Sequence, residues 1–168
     1  MKEIIYNDNN IKDEDIHEWV KRAKVLVVNS KNEILIAHTD DSYYFLGGHV
    51  DGDESDYECL VREIKEEAGI DYKPVIDKPF VSIKYLFKDY PQAGTNRGYI
   101  ANYYVIYDDL VPNPNNVNLT DGESAGHLRL VYIHKDKILN EVRPYLNICK
   151  KTGVVRDTLE VLEEYLSK

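Results

Sequence analysis

The sequence predicts a mixed α/β fold of the α+β kind, one central β-sheet covered by helices. Three observations carry that reading. Short runs rich in Val, Ile, Tyr and Phe are bounded by turn formers, two longer stretches place apolar residues at helical spacing, and the two kinds alternate along 168 residues. That length suits one domain with a sizeable core, so residues 1–168 read as a single domain, with 1–20 an N-terminal extension and 154–168 a closing helix.

The chain opens with "MKEIIYNDNNIKDEDIHEW", which has neither an apolar stretch of signal-peptide length nor a small-residue cleavage pattern, and no 18 apolar residues run together anywhere. A cytoplasmic location without a membrane partner is expected. In "AKVLVVNSKNEILIAH" two apolar runs, Val25 to Val28 and Ile34 to Ala37, flank the turn formers Asn29 to Asn32, which predicts a hairpin. The runs "FVSIKYLFKD" and "YIANYYVIYDD", separated by "YPQAGTNRG", predict a second. "VPNPNNVNLTDGESAG" is loop by composition and "LRLVYIH" a strand. From Val154 to Leu166, the spacing of Val155, Leu159, Leu162 and Leu166 predicts an amphipathic helix packed on the sheet.

Composition narrows the function. With 43% hydrophobic and 30% charged residues the chain is too apolar for disorder. A formal net charge of -9 and a pI near 5.0 disfavour a nucleic-acid partner or an anionic membrane surface, so any bound polyanion needs a local source of positive charge. Cys59 and Cys149 form no zinc or disulfide pattern and fit a reducing compartment.

The remaining stretch, "GHVDGDESDYECLVREIKEEAGI", predicts a helix from about Asp56 to Ala68. Ser55 and Glu58 have capping-box spacing, and Gly69 is a stop. At roughly 100° per residue, Tyr57, Leu60, Val61, Ile64 and Ala68 share a core face, and Glu63, Glu66 and Glu67 cluster about 120° away. Like charges at these spacings destabilise a helix by roughly a few tenths of a kcal/mol per pair, and a divalent cation would reverse the sign. The alternative is an ordinary solvated face. The spacing from Gly48 decides between them: Gly, five residues, Glu54, seven residues, then Arg62-Glu63-Ile64-Lys65-Glu66-Glu67-Ala68-Gly69-Ile70. This resembles, position for position, the Nudix box GX5EX7REUXEEXGU, a match expected by accident in well under roughly one chain in a million. Leu46 departs from the family, where proline is frequent at that place.

The resemblance implies an α/β/α sandwich on a mixed sheet. It also implies hydrolysis of a diphosphate linked to another group, with Mg2+ or Mn2+ as cofactor and a small nucleoside diphosphate derivative as substrate. Hard cations prefer oxygen ligands, which suits the carboxylates. By resemblance, Glu66 and Glu67 are the first metal ligands, the Gly48 carbonyl adds another, and Glu63 serves as base or further ligand. Glu123, in "TDGESAGH", is the rival base from the loop that supplies it in other relatives. Arg62 orients the glutamates by ion pairing, and Glu54 anchors the loop or touches metal. Arg97 is a candidate phosphate clamp, and Tyr43, Tyr44, Tyr85, Tyr103 and Tyr104 offer stacking surfaces, although strand tyrosines also serve packing alone. A noncatalytic nucleotide-sensing module is the second reading. Many relatives pair, so a homodimer is expected.

Overall fold

A computed structural model describes residues 1–151 and 153–168. Seven strands form one sheet: β1 (Lys2–Tyr6), β2 (Glu18–Val28), β3 (Glu33–His38), β4 (Tyr43–Tyr44), β5 (Val81–Phe87), β6 (Arg97–Tyr107) and β7 (Arg129–His134). Their order is β1-β5-β6-β2-β3-β4, with β7 on the other side of β3. Both predicted hairpins form, as the antiparallel pairs β2/β3 and β5/β6. The long parallel pairing of β2 with β6, from Glu18↔Arg97 to Val28↔Tyr107, makes the sheet mixed.

Side chains alternate along β2, and the two faces carry separate cores. Leu26 and Val28 join Ile34, Ile36, Phe45, Ile83 and Tyr103 under the closing helix α4 (Val154–Leu166), which contributes Val155, Leu159, Val161 and Leu162. Ala23, Val25 and Val27 lie with Leu35, Leu46 and Tyr104 under helix α1 (Asp56–Ala68), which contributes Cys59, Leu60, Ile64 and Ala68. The layers are therefore helix, sheet, helix. Among the described residues no helix is long and apolar enough to cross a membrane.

Two regions differ from expectation. Residues 2–6 form strand β1, in parallel register with β5 from Lys2↔Val81 to Tyr6↔Tyr85, so the N-terminal segment is woven into the sheet. The stretch read as loop by composition carries a short helix, α2 (Asp121–Ala125), because the Thr120 side chain caps the Glu123 N–H and the Glu123 carboxylate returns to the Thr120 N–H. A further short helix, α3 (Ile138–Val142), buries Ile138 and Val142 in the α4-side core.

Candidate active site

Helix α1 begins and ends where its local signals place it. Ser55 and Glu58 form the reciprocal capping box, and Gly69 closes the helix at φ 68°, a conformation that favours glycine. Its first turn is tied to the sheet because Asn102 Nδ2 and Tyr104 Oη both donate to Asp56 Oδ2, at 2.9 and 2.7 Å. The face differs from the helical-wheel expectation at two positions. Tyr57 is exposed, and Glu67 is 3% exposed, buried beside Ile64 and Ala68.

Glu67 tolerates burial because the preceding loop supplies partners. The Gly47 N–H donates to Glu67 Oε2 at 2.8 Å. Gly47 sits at φ 115°, and a Cβ there would lie 2.1 Å from the Ala23 carbonyl oxygen, so only glycine lets this loop close against β2. Burial pushes the Glu67 carboxyl well above the usual carboxylate range; the Lys24 ammonium and the Gly47 N–H oppose the shift, and Glu63 and Glu123 add to it. Burial moves Lys24 the other way, below the usual lysine range, against the pull of Glu67. The Lys24 ammonium donates to the Gly47 carbonyl.

Gly48 is packed against Glu63: a Cβ at Gly48 would lie 2.1 Å from Glu63 Oε1. The Gly48 carbonyl accepts the Ala23 N–H at 3.1 Å. Burial raises the Glu63 carboxyl, and its ion pair with Arg62 opposes the rise. Arg62 is the hub of the site. Its Nη1 pairs with Glu63 at 2.7 Å and lies 3.7 Å from Glu66, and its Nε and Nη2 grip Glu54 at 2.9 and 2.8 Å. Nη2 also donates to the His49 carbonyl at 2.9 Å and lies 3.6 Å from Asp51. The Arg62 hydrogen bonds hold Glu54 below the usual range, as a loop anchor.

The box thus brings together Gly48, Arg62, Glu63, Glu66 and Glu67. Glu123 lies close enough to raise Glu67 electrostatically, with its own carboxylate in the α2 capping box. Arg97 is not brought to this cluster: it opens β6, paired with Glu18 at 2.6 Å, six residues along β2 from Lys24, or roughly 20 Å at strand rise. Lys24 was missed in the sequence. A lysine in a strand reads as solvated, and only the pairing of Leu46 and His49 with β2 places it beside Gly47.

Among the described residues no three His, Cys, Asp or Glu side chains converge in metal-binding geometry, because Arg62 and Lys24 draw on the carboxylates instead. The donor set nevertheless suits a hard divalent cation. It is all oxygen, and Glu67 Oε1 takes no hydrogen bond from the described residues.

The mixed sheet between helices and the carboxylate-bearing helix α1 closed against Gly47 and Gly48 define a Nudix-type domain. The model of the NUDIX domain matches residues 19–141. The chain belongs to the Nudix family. A 59-residue segment, 34% of this chain, is 37% identical to the yeast (Saccharomyces cerevisiae) m7GpppN-mRNA hydrolase, but it spans only 6% of that protein's length. Among solved structures, a MutT protein from Methanosarcina mazei matches with a TM-score of 0.54 at 22% identity, covering 90% of this chain and 97% of that one. The E. coli ORF135 protein matches at 0.56 and 16%, covering 94% of each chain. At these identities the two structures support the fold alone.

Proposed function

We propose that the chain hydrolyses the diphosphate linkage of a nucleoside diphosphate derivative, with Mg2+ or Mn2+ held by Glu63, Glu66 and Glu67 and by the Gly48 carbonyl. The observation that carries this reading is the burial of Glu63 and Glu67 on one helix against Gly47 and Gly48. It raises both carboxyls, and a cation of higher charge than Arg62 or Lys24 would offset it. When bound, the metal neutralises the diphosphate and stabilises charge on the attacking and leaving oxygens. Arg62 fixes the Glu63 rotamer while its hold on Glu54 and the His49 carbonyl ties the loop to the helix. Glu63 is the proposed base for the attacking water, with Glu123 its rival. Glu63→Gln should remove the acidic limb of the pH–rate profile and Glu123→Gln should leave it; the reverse result reassigns the base.

The test is a panel of nucleoside triphosphates, ADP-ribose, nucleotide sugars, NADH and dinucleoside polyphosphates, incubated with Mg2+ or Mn2+ and resolved by chromatography beside Glu67→Gln. Metal-dependent cleavage between phosphates, absent in the variant, supports the hydrolase and names its substrate class. Binding of one member without turnover replaces it with the sensor reading. The expected homodimer is checked by sedimentation in the same preparation.

A further inference from the structure

Arg22 and Lys24 occupy alternate positions of β2 and therefore project to the face of Leu26, the α4 side of the sheet. Lys24 touches the Gly47 carbonyl, beside the glutamates. Arg22 lies one step further, roughly 6.6 Å along the strand. Arg22 Nη2 lies 3.3 Å from His49 Nε2, its Nε is buried without a hydrogen-bond partner, and among the described residues no carboxylate lies at ion-pair distance from it. In a chain of net charge -9, Arg62, Arg97 and Arg143 each hold an acid, whereas among the described residues Arg22, Arg129 and Arg156 hold none, and of these three it is Arg22 that neighbours Lys24 on the strand beside Gly47. A buried unpaired donor costs free energy unless a partner arrives, and for a guanidinium that partner is an anion.

The same face continues into aromatic residues. The register Val20↔Tyr99, Tyr99↔Tyr85 and Tyr85↔Tyr6 sets a row of rings beyond Arg22, across β6, β5 and β1. Tyr6 and Tyr85 stack with centroids 4.7 Å apart, and the Arg156 guanidinium, whose Nε is the other buried donor without a partner, lies 4.1 Å from the Tyr6 centroid. Arg22 therefore stands between the α1 glutamates and an aromatic shelf on which Arg156 lies over Tyr6, while the Tyr85 and Tyr6 hydroxyls donate to Asp157 and Glu160. A nucleotide has the complementary sequence of groups, anionic at one end and planar at the other.

We propose that Arg22 seats the phosphate nearest the nucleoside, with the base directed toward Tyr6, Tyr85 and Arg156, which fixes the direction in which the substrate lies across the sheet. This rests on the hydrolase reading for the identity of the substrate, but its test does not need turnover. AMP and adenosine are titrated separately into the protein in EDTA, followed by amide shifts in two-dimensional NMR, with the spectrum of each variant reporting its fold. The wild type should bind AMP at least about tenfold more tightly than adenosine, the scale of a charge-assisted phosphate contact. Arg22→Met should bring AMP down to the affinity of adenosine, Arg22→Lys should keep part of the preference because it retains the charge without the fork, and Tyr6→Ala should weaken both ligands by the same factor. Equal affinity of the wild type for the two ligands, binding of neither, or an AMP preference that survives Arg22→Met overturns the proposal. Should Arg22→Met not fold, an Arg22→Lys protein with wild-type affinity for AMP overturns it. Failure of the hydrolase reading shows separately, as absence of metal-dependent cleavage across the panel.

Discussion

Gly48→Ala isolates the position of one carboxylate from the stability of the fold. Gly48 is not among the positive-φ residues, so alanine meets no backbone penalty there. Its Cβ would lie 2.1, 2.5 and 2.8 Å from Glu63 Oε1, Cδ and Oε2, all closer than the 3.0 Å that real Cβ contacts respect, so the carboxylate must retreat by about 1 Å. A displacement of that size at a reacting group costs about a hundredfold in rate. Stability should move little. Alanine stiffens the unfolded chain, a gain of about 0.4–1 kcal/mol, and disturbing the partly exposed Arg62–Glu63 pair costs about 1 kcal/mol at most. The assay is Mg2+-dependent turnover of the best panel substrate alongside a thermal melt. The expected result is about a hundredfold loss of kcat with a midpoint within a few degrees of wild type. Activity within threefold of wild type at an unchanged midpoint would refute the argument that Gly48 is there to seat Glu63. Gly47→Ala is the contrasting control: its φ of 115° and its approach to the Ala23 carbonyl are backbone constraints, so that variant should lose stability first.

Glu67→Gln should lower metal-dependent turnover by at least about a hundredfold while the melting midpoint moves by only a few degrees, because the amide oxygen still accepts the Gly47 N–H and the relief of the buried carboxylate offsets the loss of the counter-charge to Lys24; a large fall in the midpoint would contradict this account of its burial. Arg62→Met removes the cation shared by Glu54 and Glu63 and should cost about 2 kcal/mol in urea unfolding, below the figure for a fully buried pair because the arginine is partly exposed; an unchanged midpoint would deny its role as hub. Burial raises the Asp157 carboxyl to about 6, so the folded state holds that proton more tightly than the unfolded chain does. The resulting stability is fully present below pH about 4 and lost as pH rises through about 6. The wild type should lose about 2 kcal/mol across that window that Asp157→Asn does not lose, and parallel pH–stability curves would exclude the effect.

The parts of the fold legible in the sequence are those whose signals are local. Ser55, Glu58 and Gly69 set the ends of α1 through contacts within a few residues, and the spacing of Val155, Leu159 and Leu162 does the same for the inner face of α4. Thr120 and Glu123 have the same capping-box spacing as Ser55 and Glu58, but the surrounding Pro, Asn and Gly composition hid the short helix α2. Strand β1 was hidden for a different reason: five residues alternate too briefly to speak alone, and their partner β5 begins at Val81. The burial of Glu67 is also a tertiary fact. A helical wheel places it with the other glutamates, and only the closure of Gly47 against β2 supplies the N–H and the lysine that let it leave water. Tyr57 is the converse, an aromatic residue on the predicted core face that extends past the edge of the packed layer into solvent.

The charge crowding on α1 also becomes a quantitative constraint once the loop is included. Asp51, Glu54, Glu63 and Glu66 all lie within ion-pair distance of the one Arg62 guanidinium, and Glu67 has Lys24 for its nearest cation influence. Five carboxylates against two cations leave a formal charge of -3 if all are ionised, and a single guanidinium has only five N–H donors to divide among four acids and the His49 carbonyl. Glu54 takes two of those donors and is held below the usual carboxylate range; Glu63 takes one and is still raised by burial. Arg62 thus anchors the loop more completely than it neutralises the helix. The proposed divalent cation would relieve most the acids that Arg62 serves least, Glu66 and Glu67, with Glu63 as its further ligand, and leave the Glu54 anchor intact. Metal titration of Arg62→Met should therefore show loss of loop order at Glu54 without loss of all metal affinity, whereas affinity falling in step with loop order would mean that the two functions of the arginine are one.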